Sequence, residues 1–377
     1  MISYGRQWID GKDIQAVEKV MRTDWLTQGP TIEKFEQSLA QVAGTKSAVA
    51  VSNGTAALHA ACFAIGIGEN DEVIVPTLTF AASANCVLYC GGTLKLCDIN
   101  LKTLTIDISE VKKQITSKTK AIIAVDFAGH PTQWQELHSL ARQHQLKLID
   151  DAAHALGAKY KGKPVGTLAD LTTFSFHPVK AITTAEGGAI VTNNQKLYER
   201  LKLFRNHGIR KENRKQKTEN RNPAWYQEMV DLGYNYRLTD IQAALGLSQL
   251  TKLNRFLKRR QVIASRYIKA FSGIPEIILP PHHQWANHAW HIFPLQFRTL
   301  DRNDVYEKLR EKGVGCQVHY TPIHLQPYYQ NRFGYRQGDF PNAEKYYSRC
   351  LTIPLFPAMT NEVVKQVIKT IKAIVVV

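Results

Sequence analysis

Short strand-like segments, several of them continuous apolar runs, recur along the chain, at residues 48–51, 73–75, 93–97, 121–125, 146–149, 172–176 and 189–192. Runs of this length without alternation predict strands buried on both faces. Between them the spacing turns helical: Ala56, Leu58, Ala61, Cys62 and Ile65 share one face, and 133–145 reads as a helix. Such an order predicts an α/β fold with a mostly parallel central sheet covered on both sides, and ligands at the carboxyl ends of its strands. Thr239-Asp240-Ile241-Gln242 is a capping box that opens a long helix, predicted to run to about residue 267. Beyond Pro280-Pro281 the segments shorten, with alternating stretches at 291–297 and 314–319 around a helix over 301–312. The pattern predicts a large domain over residues 1–250 and a smaller C-terminal α+β domain over 251–377, the first dozen residues packing on the small one.

Composition narrows the class. The 377 residues are 44% hydrophobic and 21% charged, ordinary for a soluble protein with a substantial core. No apolar run approaches the ~20 residues that span a bilayer, so no membrane helix is expected. Residues 1–10 lack a basic segment followed by an apolar one, so no signal peptide is expected. The six cysteines, Cys62, Cys86, Cys90, Cys97, Cys316 and Cys350, contain no C-x-x-C pair. They read as reduced, mostly buried thiols of a cytoplasmic protein, and the spacing of Cys86, Cys90 and Cys97 is wrong for zinc, so no metal is expected.

The formal charge of +16 fits nucleic acid, a small phosphorylated substrate, or no partner at all. It is densest over 202–221, where eight Lys/Arg face only Glu212 and Glu219 in an Asn-rich, apolar-poor stretch. That stretch reads as an exposed loop, either simply solvated or a basic lid over a diphosphate. Without a helix-turn-helix extension or an aromatic–basic stripe, a nucleic-acid-binding protein without enzyme activity is the rival of another class, not the leading reading.

Three strand ends carry candidate chemistry. Ser52-Asn53-Gly54-Thr55 sits between a strand and a helix, where free N–H groups and a hydroxyl suit a phosphate or merely cap the helix. Asp150-Asp151-Ala152-Ala153-His154 places two acids at the end of an apolar strand. Either acid could be a solvated loop carboxylate or the partner that keeps a heteroaromatic nitrogen protonated. Phe174-Ser175-Phe176-His177-Pro178-Val179-Lys180 leads a strand into a lone lysine, followed by Glu186-Gly187-Gly188. Enclosed there, Lys180 would lose solvation and become a nucleophilic amine.

These segments, with Gly233-Tyr234-Asn235-Tyr236-Arg237-Leu238-Thr239-Asp240, resemble in order and spacing the DegT/DnrJ/EryC1/StrS family of sugar aminotransferases. The likeness extends from Gln28-Gly29-Pro30 to Pro354-Leu355-Phe356-Pro357. It implies fold type I of the enzymes dependent on pyridoxal 5'-phosphate (PLP), the aspartate-aminotransferase-like fold, and a homodimer. It implies Lys180 as the amine that holds the cofactor and Asp151 as the partner of its ring nitrogen, with Asp150 the near rival. His154 would lie at the ring's face or its phenolic oxygen. Gly54, Thr55 and Ser175 would hold the phosphate, and Phe80 would stack on the ring unless it is a plain core aromatic. Asn235 would reach the phosphate in the neighbouring subunit, and Arg237, His319 and Tyr320 would contact sugar or diphosphate. Residues 176–188 and 318–329 resemble the branch that aminates carbon 4 of a UDP-linked 4-keto-6-deoxy-N-acetylhexosamine for pseudaminic acid, with L-glutamate as donor and 2-oxoglutarate as by-product. The nearest alternative is another nucleotide-linked keto sugar.

Overall fold

The computed structural model describes residues 1–211 and 225–376. All seven segments become strands of one sheet, in the order Ser47–Val51, Gly188–Thr192, Leu171–Ser175, Lys147–Asp151, Thr119–Val125, Glu72–Pro76, Thr93–Cys97. Gly188–Thr192 runs antiparallel to both neighbours and every other pairing is parallel. The runs are continuous because the sheet has a core on each side. Val49, Val51, Ile123 and Ile149 enter one apolar cluster, while Ala48, Ala50, Ile122, Ala124 and Leu148 enter the other. Alternate residues of a strand are sent to opposite faces, and here both faces are dry. On the helix Trp134–Gln143, the buried residues Trp134, Leu137, Leu140 and Ala141 form the single stripe that covers the sheet.

The second half of the chain departs from expectation in three places. The capping box forms as predicted, Thr239 accepting from the Gln242 N–H at 3.2 Å and Gln242 Oε1 accepting from the Thr239 N–H at 3.0 Å. The helix it opens is nevertheless two helices, Asp240–Leu250 and Leu253–Phe271. At the break Thr251 donates to the Ser248 carbonyl at 2.7 Å, and Lys252 turns inward to Asp10 at 2.5 Å and Asp13 at 2.7 Å. A lysine buried between two acids fixes the bend.

The stretch 314–319 is not a strand. One half bridges Ile2 and the other Thr352, so no single neighbour offers it a ladder. Ile2 accepts from the Gly315 N–H and donates to the Gly313 carbonyl, both at 2.7 Å, which ties the chain's first residues to this layer.

Nor is 202–221 a single loop. Lys202 and Arg205 end the helix Gln195–Arg205, and Arg205 pairs with Glu36 and donates to the Ala50 carbonyl at 2.8 Å. Ile209–Lys211 pairs with Gln227–Met229. Residues 212–221, with the remaining basic positions, lie outside the described residues.

The C-terminal layer is an antiparallel sheet of Ile277–Ile278, Phe293–Phe297 and Cys350–Ile353. Helices Leu253–Phe271, Arg302–Glu311 and Asn361–Val375 pack on it around Tyr267, Phe293, Leu295, Val305 and Val367. No described helix is long and apolar enough to cross a membrane.

Candidate active site

Strand ends of the large sheet and the C-terminal layer enclose a cavity of about 770 Å³. Gly54 and Thr55 line it at the start of the helix Gly54–Ala64, whose first N–H groups have no intrahelical partner. Asn53 caps that helix by accepting from the Ala56 N–H at 2.8 Å. Ser175, at the end of Leu171–Ser175, closes the same corner. Gly188 explains the glycine pair: a Cβ there would come within 2.4 Å of the Asn53 carbonyl oxygen, so only glycine lets the strand pass behind this cradle.

Asp151 and Lys180 face one another across the cavity. Asp151 Oδ2 accepts from Ser83 Oγ at 2.5 Å and Oδ1 from the Ala153 N–H at 3.2 Å, and Ser83 is linked to Thr79 at 2.7 Å. Burial raises the Asp151 pKa, while Ser83, the Ala153 N–H and Lys180 pull it down. Lys180 lies on a turn closed by its N–H to the His177 carbonyl at 2.9 Å. Burial pushes its amine down to about 8, with Asp151 opposing the shift and Arg260 adding to it. Arg260 is itself fully buried and donates to the carbonyls of His291 at 2.9 Å, Leu355 at 3.0 Å, Trp290 at 3.2 Å and Val179 at 3.4 Å. Asp150 faces away from the cavity. It is fully buried, neither oxygen has a hydrogen-bond partner among the described residues, and burial and then Asp126 raise its pKa. The acid open to the cavity is Asp151.

The other wall is aromatic. His154 Nδ1 accepts from the Ala128 N–H at 3.2 Å, its Nε2 lies 3.1 Å from Tyr320 Oη, and its ring is 4.3 Å from that of His291. His319 Nδ1 is 2.9 Å from Thr352 Oγ1, and burial pushes its pKa down to about 3. Phe80 stands at the rim, 58% exposed, with its ring 5.9 Å from Tyr320. It is therefore no core aromatic.

Asn235 and Arg237 do not line this cavity. Asn235 bridges the backbone of Asn206, and Arg237 donates to Asn206 Oδ1 at 2.6 Å. Arg237 lines a second cavity of about 940 Å³, which is larger but brings no lysine opposite a buried acid. Sequence reading missed Ser83, Thr79, Ala128 and Arg260. Ser83 meets Asp151 across 68 residues of chain, a contact that only the folded sheet creates.

The sequence profile of the DegT/DnrJ/EryC1/StrS aminotransferase family matches residues 7–372. The chain belongs to the DegT/DnrJ/EryC1/StrS aminotransferase family. The UDP-4-amino-4,6-dideoxy-N-acetyl-beta-L-altrosamine transaminase of Campylobacter jejuni is 38% identical over 380 residues, covering 99% of this chain and 97% of that protein. The spore coat polysaccharide biosynthesis protein SpsC of Bacillus subtilis is 38% identical over 379 residues, covering 99% and 97%. Among solved structures, Helicobacter pylori PseC, an aminotransferase involved in pseudaminic acid biosynthesis, superposes with a TM-score of 0.92 at 32% identity over 99% of both chains. This DegT-family chain is thus an enzyme of the aminotransferase class, with the fold of the PLP-dependent sugar aminotransferases, and its cofactor is PLP. Its residues fit that group. The cavity sets an amine of lowered pKa against a buried acid short of positive charge, beside an open helix N-terminus for a phosphate.

Proposed function

We propose that the enzyme transfers the amino group of L-glutamate to C4 of a UDP-linked 4-keto-6-deoxy-N-acetylhexosamine, as a UDP-4-amino-4,6-dideoxy-N-acetyl-beta-L-altrosamine transaminase of pseudaminic acid biosynthesis. The observation that carries amino transfer is Lys180 opposite Asp151 in one cavity. The choice of sugar is supported by the full-length likeness to the Campylobacter protein.

PLP, when bound, supplies an electron sink through which an amino group moves between two carbon skeletons. Lys180 holds the cofactor through its amine and, once released, carries a proton between carbons at Nζ. An amine titrating near 8 is suited to that work because both its forms are populated close to neutrality. Asp151 pairs with a cationic ring nitrogen, and Ser83 keeps that carboxylate hydrogen-bonded and aimed. Gly54, Thr55 and Ser175 would bind the phosphate, and Phe80 at the rim, with Tyr320, His154 and His319, makes the aromatic wall against which the ring would lie. Asn235 and Arg237, turned away from their own chain's cavity, serve the site of a second copy in a cytoplasmic homodimer, Asn235 at the phosphate and Arg237 at sugar or diphosphate.

A second reading, another nucleotide-linked keto sugar of a surface polysaccharide, is favoured by the equal identity to the spore coat protein. Amination assays with glutamate across UDP- and dTDP-linked 3-keto and 4-keto sugars decide between them. Turnover is expected with the UDP-4-keto-6-deoxy-N-acetylhexosamine, and turnover confined to a dTDP or 3-keto sugar overturns the assignment.

A further inference from the structure

The wall formed by His154 and Tyr320 has a direction. Ala128 occupies the left-handed region at φ 60°, rare for a residue with a side chain. That conformation is strained for a residue with a side chain and persists where the surroundings over-determine it. Here the His291 N–H donates to the Ala128 carbonyl and the Ala289 N–H to the Gly129 carbonyl, both at 2.9 Å. A Cβ on Gly129 would come within 2.8 Å of the His154 carbonyl oxygen, so the turn is clamped against His154.

The clamped turn delivers the Ala128 N–H to His154 Nδ1 at 3.2 Å. A backbone N–H only donates, so Nδ1 offers its lone pair and the ring is neutral. Burial agrees, pushing the His154 pKa well below its ordinary value, with Lys180 and His319 adding to the shift. A neutral imidazole with a bare Nδ1 carries its one proton on Nε2. Nε2 therefore donates to Tyr320 Oη, 3.1 Å away. Tyr320 accepts from His154, and its own proton is left for another acceptor. Burial raises the phenol's pKa, so that proton stays on Oη. Both side chains line the cavity.

We propose that Tyr320 is a one-way hydrogen-bond donor to the carbonyl oxygen of the keto substrate, and that His154 is a positioning residue that fixes this sense. The proposal rests on the amino-transfer reading above and deepens it. A carbonyl oxygen is purely an acceptor, so a donor held in one sense both orients the sugar and polarises the C=O bond.

Two measurements test it. In the cofactor-free protein labelled with ¹⁵N-histidine, His154 is expected to show an unprotonated Nδ1 and a protonated Nε2 across the range in which free histidine titrates. A protonated Nδ1, or a doubly protonated ring, overturns the proposal. The second measurement separates the half-reactions, following bleaching of the yellow cofactor by glutamate and then return of colour with the keto sugar. Tyr320→Phe should slow only the keto-sugar half, by roughly ten- to a hundredfold for a lost directional hydrogen bond. His154→Gln can accept from Ala128 and donate to Tyr320, and should slow the keto-sugar half less than His154→Glu does. His154→Glu only accepts; it turns the Tyr320 proton back on itself and should match Tyr320→Phe. Equal slowing of both halves in Tyr320→Phe, or Glu tolerated as well as Gln, overturns the proposal. Wild-type protein that bleaches with glutamate yet aminates no keto sugar sinks the substrate reading instead, and the ¹⁵N experiment then still decides the sense of the His154–Tyr320 bond.

Discussion

Asp150 and Asp151 are consecutive, chemically identical and both buried, yet the pleat sends them to opposite faces of the strand Lys147–Asp151. Asp151 meets a hydroxyl, a backbone N–H and, across the cavity, an amine. Asp150 meets no donor among the described residues and lies near a second buried acid, Asp126, whose pKa burial pushes up to about 7. An ionised carboxylate without a counter-charge costs several kcal/mol in such surroundings. The back acid is therefore stable as the neutral form, while the front acid has the partners that let a cationic ring nitrogen hold it ionised. Position on the pleat, not residue type, separates the carboxylate that opens on the cavity from the one sealed behind it.

The largest effects should fall on the front face. Lys180→Ala removes the amine that faces Asp151 across the cavity and should abolish turnover, measured as 2-oxoglutarate released; residual turnover above background would move the role elsewhere. Asp151→Asn keeps the shape and the Ser83 contact but removes the charge that holds a ring nitrogen protonated. It should lower kcat by roughly a hundredfold or more with little change in melting temperature. A mild loss would pass the role to Asp150 and erase the contrast between the faces.

How far this contrast was legible beforehand follows from what each feature depends on. The strands were legible because each is a run buried on both faces, and the helix start at Thr239 because a capping box is local. The break at Thr251-Lys252 was not, since it depends on Asp10 and Asp13 more than 230 residues away. Lys180, Asp151 and the cradle at Gly54 were candidates from motif order, which favoured Asp151 and kept Asp150 as its near rival. Strand facing turns Asp151 to the cavity and Asp150 away from it, and facing belongs to the folded sheet. Ser83, Ala128 and Arg260 act through contacts far along the chain, and nothing adjacent to them marks such a role. The stretch 314–319 misled because alternation predicts a strand whether or not a neighbour is there to pair with it.

The smallest effect on turnover, and the sharpest test of the back face, comes from Asp126→Asn. Asparagine has nearly the same shape and can still accept the Thr132 N–H that Asp126 Oδ1 accepts at 2.7 Å. Turnover should stay within about threefold, since neither back acid reaches the cavity. Stability should change with a definite sign. The folded-state pKa of Asp126 is raised from 3.8 to about 7, so its neutral form is favoured by folding. That contribution is fully present below about pH 4 and is lost as pH rises through about 7, because the folded state must then ionise a buried acid or keep its proton at a growing disadvantage. The variant has no such proton to lose. In urea unfolding of the cofactor-free protein, wild type should therefore weaken relative to Asp126→Asn between pH 5 and pH 8, by a few kcal/mol at most. Asp150, raised by burial and by Asp126 itself, pulls in the same direction. Parallel pH profiles for the two proteins would mean that Asp126 is already ionised at pH 5 and compensated by a cation, and the back face would then have to be redrawn as a charged site.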